Sequence, residues 1–184
     1  MLNAELIIQP CSVEHLKMLI GDTEGFTSKY GLQIIPGYLE FPGALKWALE
    51  SLETGKVTPE WGTYMFIHNG DQALIGIGGY YGLPTEGGIV EIGYGIAPSY
   101  RCRGYATQSA QWLIKQAFSN DEIKAVWAHT LPNFNASTRV LEKCGMKKIA
   151  EVLDEEHGMV WQWEIVKEEG RGKREEGITI HHQE

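Results

Sequence analysis

The sequence predicts an α/β domain, and three observations predict it. Residues 88–118, GIVEIGYGIAPSYRCRGYATQSAQWLIKQAF, read as a strand, a glycine-rich basic turn and an amphipathic helix in direct succession. Residues 62–68 and 73–81 read as two strands around Asn69-Gly70, the commonest short hairpin signal. Residues 147–153 and 159–166 read as a closing hairpin around the turn DEEHG. Strands alternating with helical patterns in a chain of 184 residues fit one domain with a core of ordinary size.

Taken in order, residues 5–9 form a short strand stopped by Pro10. Ser12 then caps a helix with Val13, Leu16, Leu19 and Ile20 on its apolar side, closed by Gly21. Residues 22–41 read as irregular, with Phe26, Tyr30, Tyr38 and Phe41 among glycines and polar residues. These aromatics serve either as packing for a helix connection or as the lining of a pocket. A second helix over 42–52 carries Leu45, Leu49 and Leu52, with Pro42 suited to its first turn and Gly55 to its end. The run GIGGYYG at 76–82 lacks the G-x-G-x-x-G spacing and no helix follows it, so it is not a dinucleotide fingerprint.

The strand over 89–96 places Val90, Ile92, Tyr94 and Ile96 on one face and Glu91, Gly93 and Gly95 on the other. Glycines inside a strand mark a bulge or a place where a ligand or another backbone comes close. Pro98 ends the ladder, and Arg101-Cys102-Arg103-Gly104 leads into a helix with Ala106, Ala110, Leu113, Ile114, Ala117 and Phe118 at helical spacing. The first N–H groups of that helix have no partner within it, its dipole adds positive charge, and two arginines lie beside them. Such a turn is an anion site, suited to a pyrophosphate. Residues 124–130 form a further strand, and 132–145 a turn and short helix stopped by Gly145.

Composition narrows the function. The formal net charge of -8 argues against a broad nucleic-acid surface and favours a cationic substrate. The first ten residues lack a basic stretch followed by a long apolar run, and no segment approaches a membrane span, so a soluble cytoplasmic protein without a membrane partner is expected. Three cysteines far apart in sequence fit reduced thiols, and no metal is expected; His181-His182 is a lone pair. Residues 1–166 are expected to form the domain and 167–184 a charged, mobile tail.

The pattern at Arg101, Gly104 and Ala106 resembles motif A of the GNAT N-acetyltransferase superfamily, Arg/Gln-x-x-Gly-x-Gly/Ala. With its flanks, VEIGYGIAPSYRCRGYAT is similar to the branch containing ribosomal-protein N-terminal acetyltransferases. The segment NASTRVLEKCG resembles the family's Asn-x-x-Ser and Val-Leu-Glu-Lys-x-Gly-Phe signatures. It departs from them where Asn135 stands two residues before Ser137 and where Met146 replaces the usual aromatic. The resemblance covers about 6–166. It implies a GNAT-type acyl-CoA N-acyltransferase fold, a twisted mixed sheet of about seven strands flanked by helices. In that fold the strands at 89–96 and 124–130 run parallel and then diverge to admit the pantetheine arm.

The resemblance implies acetyl-CoA as co-substrate, held by Ile96, Arg101, Arg103, Gly104, Tyr105, Ala106, Thr107 and Asn135, with Asn133 as a competitor for the last contact. The acceptor is expected to be a primary amine on a peptide, amino acid or small molecule, with a homodimer as the assembly to test. Glu91 is the candidate base, directly or through water, or else a paired structural carboxylate; for the leaving-group acid His129 is a remoter candidate, or else a packed histidine. The position of the family's usual acid tyrosine holds Leu141, so Ser137 is the replacement candidate, or else a cap of its own helix. The vacancy at Leu141 also leaves open a non-catalytic CoA-binding sensor. A nucleotide-binding regulatory domain using the same turn lacks a magnesium-binding partner motif.

Overall fold

The computed structural model describes residues 5–168; the tail from 169 onward, including His181-His182, lies outside the described residues. β1 (Leu6–Pro10), β3 (Thr63–His68), β4 (Ala73–Tyr80), β5 (Ile89–Ile96), β6 (Ala125–Thr130), β7 (Lys147–Asp154) and β8 (Gly158–Val166) form one sheet in the order β1-β3-β4-β5-β6-β8-β7. These are the seven strands expected from the sequence. An eighth, β2 (Gln33–Ile34), makes a two-residue parallel pairing with β4.

β3 and β4 are buried along nearly their whole length because helices cover both faces of the sheet, which explains their continuous apolar runs. On one face α4 (Tyr105–Phe118) buries Ala110, Leu113, Ile114 and Ala117 against Phe66, Ile75, Val90 and Ile92. On the other, α1 (Val13–Gly21), α2 (Thr23–Tyr30) and α3 (Gly43–Glu53) pack Leu16, Leu19, Phe26 and Leu45 against Met65, Ile67, Leu74 and Ile77. Burying each such side chain is worth about 1.5–3 kcal/mol. α5 (Ala136–Lys143) lies beside α4.

The expectation of irregular chain over 22–41 is corrected by α2 and β2. Asp22 accepts the N–H of Gly25 at the helix start, and Gly31 closes the helix with φ 68°, so both ends are locally encoded. The segment TEGFTSKY hides this because Thr, Gly and Ser are weak helix formers and Phe26 is its only buried side chain. Pro10 also lies inside β1 opposite Tyr64, not beyond it, which an edge strand tolerates at its end. The β3–β4 connection runs over 69–72, with Gln72 at φ 48°, and is longer than the two-residue turn Asn69-Gly70 suggested.

One feature of the sheet positions the site. β5 and β6 pair in parallel only from Ile89↔Ala125 to Glu91↔Trp127, although β5 continues to Ile96 and β6 to Thr130. β5 stays hydrogen-bonded to β4 and β6 to β8, so the sheet opens into a V with its vertex at Glu91. Tyr81 donates its N–H to the Glu91 carbonyl and Ala97 to the Ile75 carbonyl, so the odd-numbered residues of β5 bond β4. By alternation, the Ile92 carbonyl and the N–H and C=O of Tyr94 point toward the departed β6.

Candidate active site

The mouth of the V lies beside the start of α4. Gly104 precedes that helix with φ 85°, a left-handed conformation, and no side chain caps the helix N-terminus. A Cβ on Gly104 would meet only Gln108 Nε2 at 3.5 Å, so what demands glycine is the backbone angle and the open approach to the helix end. Cys102 also has positive φ, 61°, which makes 101–104 a tight loop, and the Arg101 N–H donates to the Pro98 carbonyl. Arg101 Nε donates to the Ile96 carbonyl at 2.8 Å, tying the end of β5 to this turn. The Arg103 guanidinium lies 5.1 Å from the Tyr100 ring centroid, and the Tyr100 hydroxyl donates to Asp71 at 2.7 Å.

The eight residues expected to hold the cofactor divide by what is left of them to bind with. Arg101, Arg103 and Gly104 are exposed, and Ala106 and Thr107 are half-buried on the first turn of α4. Tyr105 is 4% exposed, and its hydroxyl donates to Glu5 at 3.2 Å, so it offers the site its backbone N–H alone. Ile96 is buried, and its carbonyl is taken by Arg101. Asn135 caps α5: its Oδ1 accepts the Thr138 N–H, its own N–H is received by Thr138 Oγ1, and its Nδ2 donates to Asn133. Asn135 and Asn133, entertained as alternatives, are joined to one another.

At the vertex, Glu91 Oε1 lies 2.7 Å from His129 Nδ1, with the carboxylate on β5 and the imidazole on β6. The register explains the meeting: Glu91 sits opposite Trp127, and His129 is the next residue of β6 on the same face. The hydrogen bond to Glu91 holds the imidazole pKa above its ordinary 6.5 against partial burial, which pulls the other way; the charges of Glu91 and Asp154 add to the upward pull. His129 is therefore drawn into the site as the partner of Glu91. The sequence carries no signal for this pairing, because amino-acid pattern does not reveal the register of two parallel strands.

On the α5 side of the V, Leu141 is 1% exposed and fills the core. Ser137 is exposed on the first turn of α5, and the Tyr94 hydroxyl donates to its backbone carbonyl at 3.3 Å. Burial pushes the Tyr94 phenol well above its usual pKa, so it remains protonated. Thus a phenol reaches α5 from β5, where sequence position on α5 gave none.

Residues 6–147 match the GNAT acetyltransferase domain, and the chain belongs to that family. It is 28% identical over 106 residues to the uncharacterized N-acetyltransferase YjdG of Bacillus subtilis (strain 168), a match covering 58% of this chain and 63% of that protein, less than two thirds of its length. Solved structures with the same fold include a GNAT-family acetyltransferase from Bacillus anthracis, with TM-score 0.59, 20% identity, and coverage of 88% of this chain and 95% of that one. They also include RimL, a ribosomal L7/L12 alpha-N-protein acetyltransferase in complex with coenzyme A, with TM-score 0.66, 13% identity and coverage of 90% and 96%. A spermidine N-acetyltransferase from Vibrio cholerae follows with TM-score 0.63, 13% identity and coverage of 89% and 95%. At these identities the likeness is one of fold. It embraces a protein acetyltransferase and a polyamine acetyltransferase alike, and so does not select an acceptor.

Proposed function

We propose that this GNAT-family protein transfers an acetyl group from acetyl-CoA to a primary amine by direct attack in a ternary complex. The observation that carries the reading is the V of β5 and β6, which has an uncapped, arginine-flanked helix N-terminus at its mouth and the Glu91–His129 pair at its vertex.

The residues present fit acetyl-CoA. The α4 N-terminus, Arg101 and Arg103 supply donors and positive charge for a pyrophosphate. The Ile92 carbonyl and the backbone N–H and C=O of Tyr94, beyond the last β5–β6 pair, offer a strand edge to an amide-containing arm. From Ile96 back to Ile92 the strand spans roughly 13 Å at about 3.4 Å per residue, directing such an arm from the mouth toward the vertex. Acetyl-CoA supplies an acetyl thioester; the chain supplies position and proton traffic.

The amine must lose a proton. At pH 7 a lysine-like amine lies about 3.4 units below its pKa, so exposing its lone pair costs about 4–5 kcal/mol, against about 1 for an α-amine near pKa 8. With Nδ1 committed to Glu91, the remaining nitrogen of His129, Nε2, takes that proton, and Glu91 orients the ring and raises its basicity. As the new C–N bond forms and the C–S bond breaks, the leaving thiolate needs a proton in return. The Tyr94 phenol is assigned that role, with the Ser137 hydroxyl as its rival.

The deciding experiment is thiol release from acetyl-CoA across a panel of primary amines, with CoA binding measured in parallel. Release with at least one amine supports the reading. CoA binding with no release would favour a non-catalytic sensor, and no CoA binding would overturn both.

A further inference from the structure

We propose that the acceptor carries an apolar planar group beside its amine, and that this group is seated in a slot between α3 and the glycine face of β5. The inference rests on the acetyltransferase reading and names the substrate class of that site.

The slot lies on the face of the sheet opposite α4. Its floor is Gly93 and Gly95 of β5 with Gly79 of β4, and its walls are Phe41, Trp47 and Tyr81. The floor is bare backbone. A Cβ on Gly93 would stand 2.5 Å from the Tyr81 hydroxyl, and one on Gly95 would rise toward Glu40 at 3.6 Å. The glycines of this strand thus clear a flat surface beside the same stretch of β5 that faces the V.

The walls are large apolar rings left in water. Phe41 is 59% exposed, Trp47 43% and Tyr81 61%, with Trp47 and Tyr81 centroids 6.5 Å apart. Three aromatic side chains around one recess, none of them used by the core, are surface an apolar ligand would cover. Glu40 is the one carboxylate among the residues lining the slot, and no lysine or arginine lines it.

That charge count selects the ligand. One carboxylate and aromatic faces suit an acceptor with one cationic amine and an apolar ring, the ring covered by the aromatic faces and the cation drawn toward the site by the charge of Glu40. A polyamine brings several separated cations, of which the slot neutralises one. A small amine without a side chain leaves the rings wet. The class is therefore an arylalkyl primary amine, such as the α-amine of an amino acid or peptide whose first side chain is aromatic.

The test is calorimetric titration of the full chain, saturated with CoA, with phenylalaninamide, glycinamide and spermidine, run beside thiol-release assays on the same three amines. Phenylalaninamide should bind about tenfold to a hundredfold more tightly than glycinamide, the difference being the buried ring. Trp47→Ala, at a half-exposed position outside the sheet, should weaken phenylalaninamide about tenfold or more and glycinamide far less, shrinking that difference. Spermidine binding as tightly as phenylalaninamide, or equal losses for all three amines in Trp47→Ala, would overturn the slot. The two arms fail separately. Selective binding without thiol release would sink the acetyltransferase reading and leave the slot, whereas release without selectivity would do the reverse.

Discussion

The Tyr94 hydroxyl donates to the backbone carbonyl of Ser137, joining β5 to α5 across the open side of the V. The bond is made to the main chain of Ser137, so it does not depend on the serine side chain. Tyr94→Phe should lower kcat about tenfold or more with CoA affinity retained, while Ser137→Ala should stay within about twofold of wild type. The reverse pattern would return the proton-donor role to Ser137.

Gly104→Val should abolish CoA binding with the domain folded. A side chain in the left-handed region costs about 1–2 kcal/mol locally, and its branch obstructs the approach to the α4 N-terminus. Calorimetric titration with CoA, beside a thermal melt, checks both halves. Unchanged affinity would remove this turn from the site.

Arg103→Ala should weaken CoA binding more at low salt than at high, because the lost attraction is an exposed, screened one. Equal losses at 50 mM and 500 mM salt would instead assign Arg103 a role in holding Tyr100.

Asn135→Ala should lower stability by about 1 kcal/mol, since it removes the acceptor for the Thr138 N–H at the start of α5. Measured by denaturant unfolding, a loss with unchanged CoA affinity marks Asn135 as a cap alone. A loss in both makes it a cofactor contact as well.

Much of this architecture is written locally. Ser12 marks a helix boundary by its side-chain cap, Gly104 and Gly145 by positive φ and Pro42 by its fixed φ just before α3, and β5 runs over the residues its alternation implies. α2 is hidden in the sequence because its caps are sound but its interior is made of weak helix formers. What local pattern cannot supply is register. Glu91 was legible as a carboxylate on a glycine face, but its partner depended on how far β6 slides along β5. Tyr94 was legible as a core-face residue, but its reach to Ser137 depended on where α5 docks. The aromatics of the first half divide likewise: Phe26 is wholly buried with α1, whereas Phe41 and Trp47 line the slot, a choice made by tertiary packing.

The Glu91–His129 pair sets a pH window for stability. The folded-state pKa of His129 is raised above 6.5, so the pair's contribution is fully present below that value and is lost as pH rises through the folded pKa. The difference in melting temperature between wild type and His129→Asn should therefore be largest in mildly acidic buffer and shrink toward alkaline pH. A difference that grew with pH would contradict the protonated, paired imidazole.

Catalysis turns on where the proton of the acceptor amine goes, and the pH dependence of kcat for wild type and Glu91→Gln tests that most directly. If His129 is the base and Glu91 its positioning partner, kcat should rise with pH along a limb centred above 6.5 in the wild type. In Glu91→Gln, with CoA affinity unchanged, the limb should move to lower pH and the plateau should fall. A limb that stays in place in Glu91→Gln, or wild-type turnover in His129→Gln, would contradict it.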